Sequence, residues 1–259
     1  MNMTLRTGLA ASTAPSIFWL LVILITPSAP LVGAEIHDLV ATGELESVQS
    51  ALESQPELVK ARNENGRTPL HIACRGDHSA IVEYLVARGA EVNARDDYQS
   101  TPLHFAAYRN LTETIQVLLE HEAEIDAQNH AQATPLHYAA LADHAEAVQL
   151  LTAADADLEI PDDYGRTPLI LCAREEGGPR TAKALIAAGA NVNAVDKNGD
   201  DALELAAWRG KEEMVNLLIE NGAKLPKDGL EAQIRFTYAA EGGLTRLFTA
   251  LLQTGANPK

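Results

Sequence analysis

The sequence predicts an all-α solenoid of about seven stacked helix-turn-helix units with hairpin-like loops. The tetrapeptide Thr-Pro-Leu-His begins at Thr68, Thr101 and Thr134, each 33 residues after the previous one, and the variant Thr-Pro-Leu-Ile begins at Thr167. Apolar residues recur at helical spacing after each tetrapeptide, and turn-forming residues separate the repeats. Because a fixed period of this length is typical of a stacked repeat protein, the whole chain is interpreted in register.

The first 34 residues do not follow this period. Arg6 is their only charged residue, an apolar run over 17–25 follows it, and small residues at 32–34 precede Glu35. A positive start, a short apolar core and small residues before a cleavage point predict a secretory signal peptide over residues 1–34. The alternative is an uncleaved membrane anchor, although a bilayer span needs about 20 apolar residues. We therefore expect the repeats to be exported, either periplasmic or secreted.

The repeat frame divides the rest of the chain into units. The first and last units lack the Thr-Pro start, as expected for terminal repeats that have one neighbour and face water on the other side. The predicted limits are 35–63 for an N-terminal capping repeat, then 64–96, 97–129, 130–162, 163–196 and 197–229 for inner repeats, and 230–259 for a C-terminal capping repeat.

Each inner repeat contains the signals for two helices. Thr68 is placed to cap the first helix, and Pro69 occupies its first position, where the missing N–H costs nothing. Small pairs such as residues 73–74 let successive first helices approach closely. In the second helix, bulky residues share one buried face. In the second repeat these are Ile81, Val82 and Leu85.

These motifs resemble the ankyrin-repeat family, and the resemblance covers nearly all of residues 35–259. It implies a concave groove lined by the first helices, with loop tips pointing toward a partner. It also implies that His71, His104 and His137 hydrogen-bond near their own threonine and the neighbouring loop. Finally, it implies a left-handed residue at the position of Gly89, where Glu122 stands one repeat later.

The charge of the chain limits its partners. The formal net charge is −16, and it becomes −17 without residues 1–34 because Arg6 is removed. Nucleic acids and anionic membranes are bound through clustered lysines and arginines, so neither is expected as a partner. A hydrophobic content of 46% is sufficient for a continuous core. We expect no membrane span in the mature chain.

The two cysteines, Cys74 and Cys172, are predicted to be buried small hydrophobic residues. Their register places them three repeats apart, and packed helices lie about 8–10 Å from one another. A disulfide needs Cα atoms within about 7 Å, so no disulfide is expected. A redox role is the alternative.

The sequence does not predict a metal ion, a cofactor or a catalytic centre. One histidine per repeat gives a spacing of about 10 Å, whereas zinc ligands lie about 2 Å from their ion. The pairs Asp96-Asp97 and Asp162-Asp163 lack the alternating oxygen ligands of a calcium loop and are interpreted as solvated turns. Phosphate-binding and nucleophile motifs are absent from the sequence. We therefore predict that the protein is not an enzyme.

The predicted binding residues occupy positions at which the repeat fold does not require a particular residue type. After the small pair, each first helix turns one or two residues toward the groove, and arginines and aromatic residues recur there. These positions hold Arg75, Tyr108, Arg109, Leu141, Arg174, Trp208 and Arg209, and the neighbouring tips add Arg67, Tyr98, Tyr164 and Arg166. Aromatic residues and arginine are enriched at interfaces. The alternative is that these are ordinary exposed residues, with Tyr108 and Trp208 packing on adjacent repeats.

Together these features predict an exported, non-catalytic, monomeric scaffold that binds a protein through its groove and loop tips. The arginines favour a partner with an acidic or mixed patch. The expected role is that of an adaptor or assembly partner. The alternative is an inhibitor or immunity protein that blocks a toxic enzyme.

Overall fold

The structure is a computed structural model that describes residues 33–174, 178–225, 237 and 243–253. All of them belong to one compact unit. The predicted signal peptide, apart from its last two residues, and much of the predicted C-terminal repeat lie outside this range. Gly255, which the repeat frame aligns with Gly89, also lies outside it.

The described residues form α-helices that follow one another in pairs. A 3₁₀ helix, Pro56–Lys60, follows the first pair. The pairs are α1 (Gly33–Thr42) and α2 (Leu45–Ser54), α3 (Pro69–Gly76) and α4 (Ser79–Ala87), α5 (Pro102–Tyr108) and α6 (Thr112–Glu120), α7 (Pro135–Leu141) and α8 (Ala145–Ala153), α9 (Pro168–Arg174) and α10 (Pro179–Ala187), and α11 (Ala202–Trp208) and α12 (Glu212–Glu220). Helix α13 (Thr245–Gln253) comes last.

The helices stack in two layers. Each odd-numbered helix from α1 to α11 contacts the next odd-numbered helix, and the even-numbered helices from α2 to α12 form a second row in the same way. Helix α13 packs on α12. In the described part of the chain, pairing between extended segments is limited to one isolated bridge between Val195 and Asp201. This architecture confirms the predicted all-α solenoid, while the exact limits of the repeats stay predictions.

The first helices begin as the tetrapeptide predicts. Thr101 is the N-cap of α5 and Pro102 its first residue. A capping box joins Thr101 to His104, whose Nδ1 accepts the backbone N–H of Thr101 at 3.1 Å. In α11, where the tetrapeptide is lost, Asp201 takes over and its Oδ1 accepts the N–H of Glu204 at 2.8 Å. Both solutions satisfy backbone donors that a helix start leaves free.

The second helices supply the bulky part of the core. Ile81, Val82 and Leu85 of α4 are at most 1% exposed, as predicted. In α10, the first two of these positions hold Thr181 and Ala182, which are also fully buried. The frame is therefore the same in both helices, but α10 buries less apolar surface.

Five-residue tips precede the first helices from the second pair to the sixth. Within the described range they are residues 63–67, 96–100, 129–133, 162–166 and 196–200. In each tip, the first backbone N–H donates to the fifth carbonyl oxygen; for Asp96 and Ser100 the distance is 3.0 Å. The Asp96 carboxylate also accepts the N–H groups of Tyr98 and Ser100, each at 2.9 Å. Each tip is thus closed by its own first side chain.

Backbone hydrogen bonds also join each tip to the next. The N–H of Asp97 donates to the carbonyl oxygen of Asn65 at 3.0 Å, and that of His130 donates to Tyr98 at 2.9 Å. The series continues as far as Lys197. The tips are therefore a connected row, which fixes the spacing of the side chains that they carry.

The interpretation of both acidic pairs as solvated turns was wrong for one member of each pair. Asp96 is 2% exposed and Asp162 is 7% exposed. Their carboxylates accept backbone N–H groups of their own tips, which replaces the hydrogen bonds that they would otherwise make to water. Asp97 and Asp163 are exposed, as expected.

Candidate partner-binding face

The histidine of each Thr-Pro-Leu-His tetrapeptide connects its helix to the following tip. His71 Nδ1 accepts the N–H of Thr68, so Nε2 carries the proton and donates to the carbonyl oxygen of Ser100 at 3.1 Å. The equivalent bonds join His104 to Ala133 at 3.0 Å and His137 to Arg166 at 2.9 Å. These contacts confirm the structural role that the family resemblance implies.

Burial keeps these histidines neutral. It lowers the pKa of His71 and of His104 to about 4, and it also lowers the pKa of His137. In the described part of the chain, no group of three or more His, Cys, Asp or Glu residues is arranged to hold a metal ion. The histidines therefore stabilise the tips that carry the binding residues.

The cysteines belong to the core. Cys74 and Cys172 are free and fully buried, as predicted. Burial raises the pKa of both thiols, so neither is a reactive thiolate near neutral pH.

The predicted binding residues lie on one surface, which we call the candidate face. It consists of the exposed C-terminal ends of the first helices together with the tips. Four large aromatic side chains are exposed on it, with exposed fractions between 46% and 61%. They are Tyr98, Tyr108, Tyr164 and Trp208. Leu141 is 36% exposed.

The first recess in this face lies between α3, α5, α7 and their tips. Its volume is about 670 Å³. Five predicted residues line it: Arg67, Arg75, Tyr98, Tyr108 and Arg109. Phe105, Tyr138 and Asn129 also line it, and we call the two half-buried rings of Phe105 and Tyr138 its floor.

A second recess lies beside α9 and α11, and its volume is about 740 Å³. Four predicted residues line it: Tyr164, Arg166, Arg174 and Trp208. Three acidic residues also line it: Asp196, Asp200 and Glu204. The arginines and aromatic residues therefore do not form one uniform positive strip.

The remaining predicted residues lie between or beside these recesses. Leu141 lines a further recess of about 750 Å³, together with Tyr108, Arg109 and the acidic residues Asp77 and Asp143. The guanidinium of Arg209 lies over the ring of Trp208, 4.9 Å from its centroid. Tyr108 packs edge-on against Tyr138 of the next first helix with the ring centroids 6.0 Å apart, which agrees with the alternative considered for it.

Two predicted arginines also have contacts inside the scaffold. Arg67 Nε lies 3.2 Å from Asp96 Oδ2, and the Arg67 guanidinium lies over the ring of Phe105 at 4.9 Å. Arg166 Nη2 lies 2.6 Å from Asp162 Oδ2. Desolvation opposes the charge of Asp162, but hydrogen bonds from Arg166 and the tip outweigh it, and the net pKa of Asp162 is lowered. Both arginines thus help to hold tips in place.

Sequence reasoning missed Phe105, Tyr138 and Asn129. Phe105 and Tyr138 directly follow the histidine of their tetrapeptides, where the neighbouring repeats have Ile72 and Leu171. Phe105 stands three residues before Tyr108, a spacing that places both on the same side of a helix. This aromatic pair was the signal available in the sequence.

Together, the fold and the candidate face define an α-helical repeat scaffold with side-chain recesses along one surface. The family model described as ankyrin repeats in three copies matches residues 36–129, 126–196 and 172–259. The chain therefore belongs to the ankyrin-repeat family, whose members are protein-binding scaffolds. The chain is also similar to mouse (Mus musculus) protein phosphatase 1 regulatory subunit 27, with 38% identity over 58 residues. That match covers 22% of this chain and 37% of the relative.

In the described residues, no helix is long and apolar enough to cross a bilayer.

Proposed function

We propose that this protein is an exported, non-catalytic adaptor or assembly partner that binds another protein through the candidate face. The observation that carries the proposal is the row of exposed aromatic side chains at Tyr98, Tyr108, Tyr164 and Trp208. Exposed aromatic residues beside arginines are typical of interface hot spots. The stacked helices and the linked tips hold these side chains in fixed positions.

A non-catalytic role is supported by the groups whose pKa values are shifted. The buried histidines and cysteines are neutral and face the scaffold. The mouse relative is named as a regulatory subunit of a phosphatase, which is a protein that acts by binding another protein. Because the match is short, we transfer this general mode of action and no particular partner.

Export is proposed from the order of residues at the start of the sequence. Cleavage after Ala34 would fall near the start of α1 and would leave Ile36 and Val40, both fully buried, in the mature chain. Amino-terminal sequencing of the exported protein is expected to give Glu35 as the first residue. Recovery of intact Met1 in the membrane fraction would favour the anchored alternative.

The partner-binding role is tested by affinity capture from extracytoplasmic extract. A partner retained by the wild-type protein should be lost with the Tyr108→Ala, Trp208→Ala double variant, because each truncation is expected to cost ~2 kcal/mol of affinity. Leu252→Ala is the matched control, since Leu252 is 47% exposed but lies on α13. Equal capture by a correctly folded double variant would contradict the proposal.

Charge reversal tests the same face independently. Arg109→Glu combined with Arg209→Glu should slow association and weaken its salt dependence. Arg88→Glu is the control, because Arg88 follows α4 in the other helix layer. If the captured partner is an enzyme and binding abolishes its activity, the protein is an inhibitor rather than an adaptor.

A further inference from the structure

We propose that the first recess binds an acidic peptide segment of the partner. The carboxylates of that segment pair with Arg75 and Arg109, and one of its apolar side chains packs on Phe105 and Tyr138. This inference deepens the proposed function and rests on it, since it names the chemistry that one part of the candidate face recognises.

The charge balance of the first recess favours an acidic ligand. Its lining includes Arg67, Arg75, Arg109 and one carboxylate, Asp96. Arg67 and Asp96 form an ion pair at 3.2 Å and neutralise each other. Within the described part of the chain, Arg75 and Arg109 have no ion-pair partner, and both side chains are exposed. The recess therefore has two arginines without an ion-pair partner in a chain of net charge −16, and Arg109 also borders the adjacent recess that contains Asp77 and Asp143.

The second recess shows the opposite balance. Arg166 is already paired with Asp162 at 2.6 Å. Arg174 then faces a lining that contains three carboxylates, those of Asp196, Asp200 and Glu204. An acidic segment would be repelled there, so the electrostatics of the face direct such a segment to the first recess.

The donor chemistry of arginine specifies the anion. A guanidinium has several N–H donors and no acceptor, and a carboxylate can accept two parallel hydrogen bonds from it. A nucleic-acid backbone would need a longer positive surface than two arginines on an acidic protein provide. Aspartate and glutamate side chains of a peptide match the two separate positive groups.

The floor of the recess is already ordered before a ligand arrives. The Phe105 ring lies edge-to-face with His71, with centroids 5.8 Å apart, and the Arg67 guanidinium covers it at 4.9 Å. The Tyr138 hydroxyl accepts a hydrogen bond from Asn129 Nδ2 at 2.8 Å. Because these rings are held by their neighbours, an apolar side chain can pack on them with little additional loss of freedom.

Tyr138 is fixed from two further directions. Its ring lies edge-to-face with His104, with centroids 5.3 Å apart, and edge-to-face with Tyr108 at 6.0 Å. Such aromatic pairs are favourable beyond the area that they bury.

The size of the recess suits a segment rather than a domain surface. A volume of about 670 Å³ lies in the range of small-ligand sites and accommodates a few side chains. Tyr98 and Tyr108 are exposed at its rim, 58% and 46% respectively, where they can close over a bound side chain and exclude water. The recess therefore provides an apolar floor, an aromatic rim and two cationic groups.

The test is selection of short random peptides displayed on phage against the purified protein. Selected peptides should be acidic and should contain an aromatic or large aliphatic residue. Synthetic copies should bind about tenfold more weakly to the Arg75→Glu and Arg109→Glu variants, and rising salt should weaken wild-type binding. Arg88→Glu in the other helix layer should leave the affinity unchanged.

Conservative variants separate charge recognition from a folding defect. Arg75→Lys and Arg109→Lys keep the positive charge without the bidentate geometry, so they should lose less affinity than the glutamate variants. Enrichment of neutral or basic peptides, or acidic peptides whose affinity is unchanged in both glutamate variants, would overturn the inference. Failure to enrich any peptide would overturn it as well, whereas capture of a partner that depends on Tyr108 and Trp208 would leave the proposed function intact.

Discussion

The third and fourth helix pairs (α5 to α8) share one backbone frame with the fifth and sixth pairs (α9 to α12), but they fill its left-handed positions differently. In the third and fourth pairs these positions hold Gln99, Asn110, Glu122, Gln132, Asp143 and Asp155, with φ between 56° and 63°. In the described residues of the fifth and sixth pairs they hold Gly165, Gly189, Gly199, Gly210 and Gly222. The backbone requirement is therefore constant, while the side chains that meet it are not.

Some of the non-glycine residues have a compensating contact. Asn110 Oδ1 accepts the N–H of Ala147 at 3.0 Å. Asp143 Oδ1 accepts the N–H of Gly178 at 2.7 Å and the hydroxyl of Thr181 at 2.6 Å. Each of these bonds reaches the second helix of the following pair. These hydrogen bonds between repeats thus offset the energetic cost of the left-handed backbone conformation at Asn110 and Asp143.

The two regions also differ in their histidines. His104 and His137 lie in the first turns of α5 and α7, whereas Ile170 and Glu204 stand at the corresponding positions of α9 and α11. The histidines are buried and neutral, and the fifth and sixth pairs have no histidine at this position. Acid should therefore affect the first of these regions more than the second.

Acidification is expected to have the largest effect on the free energy of unfolding. The folded pKa of His71 and of His104 is about 4, below the unfolded value of about 6.5, so the unfolded chain takes up protons first as the pH falls. The stability that the neutral histidines contribute to the folded state is fully present above about pH 6.5 and is lost as the pH falls toward 4. Between pH 7 and pH 5 each of these histidines should lower the free energy of unfolding by about 2 kcal/mol. Urea unfolding at both pH values measures the change.

A single variant tests whether these histidines cause the pH dependence of the free energy of unfolding. His104→Gln should remove about 1 kcal/mol per pH unit from the pH dependence of the free energy of unfolding between pH 6.5 and pH 4. Asp162 does not interfere, because its pKa is lowered and its contribution is lost only below the usual range of a carboxyl. An unchanged slope in the variant would mean that acid acts elsewhere.

The next largest expected effect is a difference in local stability between α10 and α4. Thr181 and Ala182 in α10 replace Ile81 and Val82 of α4, and each missing buried methylene removes about 0.8 kcal/mol. A weak inner repeat of a stack reduces the coupling between its two sides. Amide hydrogen exchange should therefore occur in α10 before it occurs in α4. Earlier exchange in α4 would refute this order.

Asp143→Gly should destabilise the protein although it relieves a left-handed residue. The substitution removes the acceptor of Gly178 and of the fully buried Thr181 hydroxyl. An unsatisfied buried hydroxyl costs about 2 kcal/mol, which exceeds the relief of strain. Asp143→Asn is the control, because it keeps an acceptor oxygen. Thermal or urea unfolding should rank wild type, Asn and Gly in that order, and a more stable Gly variant would show that the bond contributes little.

The sequence predicted most of the fold because its signals are local and periodic. Thr101, Pro102 and the small pair of each first helix determine a helix start and a close approach, and they recur at a fixed spacing. The left-handed position of Glu122 also followed from register with Gly89. None of these features depends on where distant side chains meet.

The candidate face was less predictable because side-chain pairing determines its chemistry. Arg67 and Arg75 were both predicted as binding residues, but the ion pair with Asp96 neutralises only Arg67. Asp96 itself was expected in solvent and is buried within its tip. Phe105 and Tyr138 were missed because an aromatic residue after the tetrapeptide can lie in the core or in a recess.

Glu122→Gly should have the smallest effect, and its sign is opposite to that of Asp143→Gly. Glu122 has φ 61°, its side chain is exposed, and within the described residues that side chain makes no hydrogen bond. A left-handed non-glycine residue costs ~1 kcal/mol, so glycine should raise the unfolding midpoint. Gly222→Ala is the reciprocal control: it has φ 87° and open space around an added Cβ, so a fall in stability there reports backbone strain alone. If both Glu122→Gly and Gly222→Ala lower the unfolding midpoint, the Glu122 side chain stabilises the third repeat by a contact in solution. Stabilising contacts would then not be confined to Asn110 and Asp143, and the contrast between the two regions would rest on all six non-glycine residues.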